Sequence, residues 1–115
     1  MKIRLSILLF LLMPTAALAD SGPNPTGSAL QTMCREPHAT FGAGFCLGYI
    51  AASAQQLALS GKLCLAGDVT NARLVSLTEQ YMTQNAGKLD EIGVATVYKA
   101  LRPQFDCTTI TPNVR

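Results

Sequence analysis

Four cysteines, Cys34, Cys46, Cys64 and Cys107, constrain this chain more than any other feature. The stretch Phe45–Cys64, FCLGYIAASAQQLALSGKLC, is a helical run with one cysteine near its start and another just past its end. Four cysteines allow three pairings. A continuous helix holds Cys46 and Cys64 roughly 27 Å apart at about 1.5 Å per residue, whereas a disulfide needs Cα atoms about 4.4–6.8 Å apart. That pairing is excluded. Short connections make successive helices antiparallel neighbours. With Cys46 at the bottom of an ascending helix, Cys64 is at the top, the next helix descends, and the last returns Cys107 to the top. Cys34, shortly before Cys46, stays at the bottom. The expected bonds are therefore Cys34 with Cys46 and Cys64 with Cys107; the crossed alternative would join opposite ends of a bundle. With no CxxC motif, an even set of widely spaced cysteines reads as structural rather than redox-active or metal-binding.

Structural disulfides need an oxidising compartment, and residues 1–19 supply the route to one. Lys2 and Arg4 precede the apolar run Leu5–Met13, and Ala17-Leu18-Ala19 is a small-x-small cleavage signal. This is a secretory signal peptide cut after Ala19. The apolar run is too short to span a bilayer, so the expected product is an exported, soluble protein with no membrane segment. Lys2 and Arg4 leave with the signal. Of nine basic residues the remainder balance the seven acids, so no basic patch points to nucleic acid or an anionic membrane surface.

What remains is one small domain, of the size for which disulfides often secure folding. Residues 20–27 are rich in Gly, Pro and Asn and read as a loose lead-in. A short helix follows from Ser28, as cap, to Cys34, ended by Glu36-Pro37. The main helix runs from Phe41 to Ser60. Phe41, Phe45, Tyr49 and Ala52 form one stripe and Cys46, Ile50 and Leu57 an adjoining one, which predicts a broad buried face. Gly61 stops it. Asp68 or Thr70 caps a third helix ending near Gln84, with Leu74, Leu77, Thr78 and Tyr81 at helical spacing. After Asn85-Ala86-Gly87, a last helix carries Leu89, Ile92, Val94, Val97, Tyr98 and Leu101 and closes at Arg102-Pro103. Period-two alternation is missing. The predicted fold is all-α, a disulfide-stapled up-down bundle of one short and three longer helices over residues 28–107, with 108–115 as a tail.

No catalytic constellation emerges. His38 is the only histidine; its spacing from Cys34 and Cys46 matches no zinc pattern, and no GxSxG nucleophile accompanies it. Asp90 and Glu91 are adjacent, so they diverge on a helix and read as first-turn charges of the last helix. Gly42-Ala43-Gly44 follows no strand and has no phosphate-binding lysine; it reads as a flexible helix start or a close backbone approach. The sequence thus predicts a non-enzyme with no cofactor and no metal.

Cys34, Phe45-Cys46-Leu47-Gly48-Tyr49-Ile50, Cys64-Leu65, Val69-Thr70, Tyr81, Ala100-Leu101 and Phe105-Asp106-Cys107 together resemble the Tai/Rap group of immunity proteins. The resemblance spans about Cys34 to Cys107 and departs from the group at three turns, Ala66-Gly67, Asn85-Ala86 and Asp106. It implies a helical periplasmic homodimer that binds and occludes a peptidoglycan amidase delivered by type VI secretion. The exposed polar loop residues Arg35, Glu36, His38, Lys62 and Asp68 are then the expected partner contacts. Two other classes remain open: a periplasmic stress protein in the manner of the acid chaperones of HdeA type, and an accessory subunit of an envelope complex.

Overall fold

The structure, a computed structural model, describes residues 24–108. The signal segment 1–19 and most of the tail lie outside the described residues. Within them the chain forms four helices: α1 (Gly27–Cys34), α2 (Phe41–Leu59), α3 (Asn71–Gln84) and α4 (Gly93–Phe105). α2 packs against the other three helices, and α3 and α4 also pack against each other. The predicted all-α bundle and both disulfides are present, with Cα–Cα distances of 5.0 Å for Cys34–Cys46 and 4.8 Å for Cys64–Cys107.

Three of the helices start on the same device. The hydroxyls of Thr26, Thr40 and Thr70 accept the backbone N–H groups of Ala29, Ala43 and Arg73, each at 3.2 Å. Each hydroxyl thereby satisfies a donor that the first helical turn leaves without a partner. Thr70 rather than Asp68 is therefore the cap of α3. Thr26 takes the role expected of Ser28, because Ser28 sits inside the first turn and donates its hydroxyl to the Leu89 carbonyl at 3.2 Å.

α4 is shifted from its expected span for a related reason. The backbone of Leu89–Ile92 pairs with the lead-in instead of coiling: Gly27 N–H donates to Glu91 O and Ser28 N–H to Leu89 O, both at 2.8 Å. Thr26 and Ile92 form an isolated antiparallel bridge, and Gly93 N–H donates to Pro25 O at 2.7 Å. Residues 25–27 are thus tied down. Asp90 and Glu91 precede α4 rather than opening it, and Glu91 instead forms a 2.8 Å ion pair with Lys99. At the other end Pro103 lies inside the helix, which runs on to Phe105; a proline near the end of a helix removes only one late backbone bond.

The core is Leu30 of α1, Cys46, Ile50, Ala54 and Leu57 of α2, Leu74 and Met82 of α3, Val97 and Leu101 of α4, and Leu63 and Leu89 from the connections. Only one of the two expected stripes of α2 is in it. Cys46, Ile50 and Leu57 are buried, but Phe41 is 86% exposed and Ala52 is exposed, with Phe45 and Tyr49 half-buried. At 100° per residue, Phe41, Gly44, Gly48, Ala52 and Leu59 fall on the side of α2 opposite Ile50. Their exposure follows from that geometry: α1, α3 and α4 occupy one side of the helix only.

Gly61 and Gly87 end α2 and the turn after α3 with φ of 76° and 86°, the left-handed region in which glycine has no Cβ penalty. Among the described residues no helix is long and apolar enough to cross a membrane.

Candidate binding surfaces

The five residues expected to contact a partner lie in two separate places. Arg35, Glu36 and His38 belong to the α1–α2 connection, Lys62 and Asp68 to the α2–α3 connection, and all five are exposed. The whole length of α2, 19 residues, stands between them, about 28 Å at 1.5 Å per residue. The fold gathers each group but does not bring the two together.

The α1–α2 loop is held in one shape. Arg35 caps α1, its N–H donating to the Gln31 carbonyl at 3.1 Å. Glu36 reaches forward, and its carboxylate accepts the Gly42 N–H at 3.1 Å. The Thr40 hydroxyl, besides capping α2, donates to the Pro37 carbonyl at 2.7 Å. Ala39 takes a φ of 67°, a left-handed conformation that costs a non-glycine residue about 1–2 kcal/mol. The two flanking side-chain bonds oppose that cost, and His38 between them is exposed. Of the three candidates here, Glu36 has a structural duty as well as exposure.

A second feature is beneath this loop. Gln31, Cys34, Arg35, Glu79, Met82 and Thr83 line a cavity of about 150 Å³ between α1 and α3. The Gln31 Nε2 atom is buried and has no hydrogen-bond partner among the described residues. A carboxylate oxygen of Glu79 and the sulfurs of Cys34 and Cys46 lie within 4.8 Å of one another. These atoms do not fit a metal ion, since the two sulfurs are bonded to each other and have no thiolate to offer. Sequence reasoning could not find this group, because Gln31 and Glu79 meet only through the crossing of α1 and α3.

The third feature is the outward face of α2. That helix has no charged residue from Phe41 to Leu59, and its outward face is nearly as apolar as its inward one. Leu59 is 91% exposed, Leu47 and Phe41 are also exposed, and a Cβ at Gly44 or Gly48 would meet open space. Phe41, Phe45 and Tyr49 form a ladder with ring centroids 6.2 and 5.6 Å apart. The missing charges were visible in the sequence, but they read there as a broad core face.

Tyr49 ends the ladder against α4. Its hydroxyl is buried over Gly93, where a Cβ would collide with it. Burial raises the phenol pKa above its ordinary 10.0, and the nearby Val94 backbone offsets part of this. At the surface, the hydrogen bond from Lys99 to Glu91 raises the lysine pKa. The Thr108 N–H, donated at 3.0 Å, holds Asp106 below its usual value.

Taken together, fold and surfaces define a small disulfide-stapled helical domain with an ordered polar loop at one end of its central helix and an uncharged helix face along its side. The family model of the Rap1a immunity proteins matches residues 26–107, well over half of the chain, and the protein belongs to that family. It is accordingly an immunity protein, the counterpart of a secreted effector. No curated protein and no solved structure matches the chain significantly.

Proposed function

We propose that the protein is exported to the periplasm, with its signal cut after Ala19, and there binds and occludes a peptidoglycan amidase delivered by type VI secretion. The observation that carries this reading, beside the family, is the α1–α2 loop. An exposed loop fixed by the Glu36–Gly42 and Thr40–Pro37 hydrogen bonds is ordered before it meets a partner, and preorganisation of this kind cuts the entropy lost on binding. Inhibition is steric: Arg35, Glu36 and His38 cover the effector, with Lys62 and Asp68 as a separate contact region. The protein contributes binding rather than catalysis.

The active form is a homodimer that pairs α2 with α2. A helix that is apolar all round belongs in an interior, and the described residues bury one side only. A second copy is the occupant that supplies the same uncharged surface, and a two-fold axis makes the patch self-complementary. Gly44, Gly48 and Ala52, spaced four apart, let two backbones approach closely between Phe41 and Leu59. The test of the functional reading is capture: the disulfide-bonded protein, used as bait against secreted and envelope proteins of its own cell, retains a cell-wall amidase. Recovery of no hydrolase by a folded bait would contradict it.

A further inference from the structure

Glu79, on α3, is a partly exposed carboxylate that forms no ion pair and no hydrogen bond among the described residues. One of its oxygens nevertheless lies within 4.8 Å of both sulfurs of the Cys34–Cys46 disulfide. We propose that Glu79 is an electrostatic guard on that bond, slowing its opening by anionic thiols. The bond closes the α1–α2 loop, with Arg35, Glu36 and His38 between its ends. Whatever protects the bond therefore protects the shape of the loop, and it does so whichever partner the loop meets.

A disulfide opens when a thiolate attacks one of its sulfurs: a new S–S bond forms to the reagent, the old one breaks, and its electron pair leaves on the second sulfur as a thiolate. Burial decides which sulfur is which. Cys34 is half-buried and lines the cavity of about 150 Å³ between α1 and α3, room for the tip of a small thiol, whereas Cys46 is 2% exposed. Attack therefore falls on Cys34 and expels the Cys46 thiolate. The incoming and the departing groups are both negative, and both meet the Glu79 carboxylate. Burial at Cys46 adds to the penalty, because an apolar site disfavours a thiolate. Arg35, the other charged residue lining the cavity, forms no ion pair with Glu79 within 4.0 Å and so does not neutralise it by contact. A like charge about 5 Å away slows such a step about threefold or more even at the dielectric of water.

The test follows the initial rate at which each disulfide of the folded protein is reduced, read by alkylation and peptide mass spectrometry. The reagents are mercaptoethanesulfonate, mercaptoethanol and cysteamine at equal thiolate concentration, with an anionic, a neutral and a cationic tail. At Cys34–Cys46 the cationic reagent should be the fastest and the anionic one the slowest. Glu79→Gln, which keeps the size of the side chain, should speed reduction by the sulfonate reagent about threefold or more and narrow the spread across the series. It should leave Cys64–Cys107, at the other end of α2, unchanged within about twofold. Glu79→Lys should tilt the series further towards the anionic reagent. An unchanged rate and spread in both variants would overturn the guard. Equal acceleration of the two disulfides would overturn it as well, since that result reports loosening of the whole fold rather than a local charge.

Discussion

The carboxylate of Glu36 accepts the backbone N–H of Gly42 at 3.1 Å, and a Cβ at position 42 would collide with that carboxylate. The pair clasps the α1–α2 loop to the first turn of α2, where a negative charge also suits the helix dipole. Gly42→Ala should displace Glu36 and destabilise the domain by about 1–2 kcal/mol, a fall in Tm of several degrees for a domain of this size. Glu36→Gln, which keeps the shape and removes the charge, should lose only about 0.3–1 kcal/mol. Thermal unfolding of the two variants checks the order; a Gly42→Ala protein stabilised by about 0.4–1 kcal/mol, the gain of an unopposed glycine-to-alanine change in a helix, would show that the clasp contributes nothing.

The two disulfides should differ in what they contribute. Cys34–Cys46 closes a separation of 12 residues and Cys64–Cys107 one of 43. Loop-closure entropy assigns them about 3 and 4 kcal/mol. Denaturant titration of the paired Cys→Ser variants should find the Cys64/Cys107 variant the less stable. That bond also lies beside the 2.7 Å hydrogen bond from Cys64 N–H to the Phe105 carbonyl, so its loss should loosen the end of α4 first.

Tyr49 sets an alkaline limit. Its folded pKa lies above the ordinary 10.0 because burial disfavours the phenolate. The unfolded chain therefore loses its proton first. The stability this group contributes is complete below about pH 10 and is lost as pH rises through the folded value. Tyr49→Phe should flatten the pH dependence in that alkaline window. It should change stability at pH 7 by less than about 1 kcal/mol, since the hydroxyl makes no hydrogen bond among the described residues. Unfolding curves at pH 7 and across the alkaline range would show both effects.

For the α2 face the expected outcome concerns mass. Gly48→Glu puts a charge at the centre of the uncharged stripe, at a position where an added Cβ meets nothing within 4 Å. Sedimentation should show the wild type as a dimer and the variant as a folded monomer. Equal masses for both would remove α2 as the interface.

How much of this was legible in the sequence depends on what each feature rests on. The disulfide pairing followed from helix length and alternating direction, which are set by local spacing. The starts of α1 and α4 were misplaced because the backbone pairing of Pro25–Ser28 with Leu89–Gly93 joins segments far apart in sequence, and no local pattern announces it. The Phe41 stripe reads as core in the sequence because its side chains are apolar, but apolar character alone does not say which side of a helix the neighbouring helices cover, and Phe41 and Ala52 are exposed. Arg35, Glu36 and His38 could be placed on an exposed loop, but the unpaired amide of Gln31 beneath them arises only from tertiary packing.

The central claim is inhibition by direct binding, and one titration tests it most directly. The captured amidase is assayed on peptidoglycan against increasing amounts of the disulfide-bonded protein. Activity should fall linearly to near zero at about one protomer per enzyme, as tight stoichiometric binding requires, and an Arg35→Ala/His38→Ala double variant should shift the curve to higher concentration. Full amidase activity in the presence of a large excess of folded protein would contradict the account.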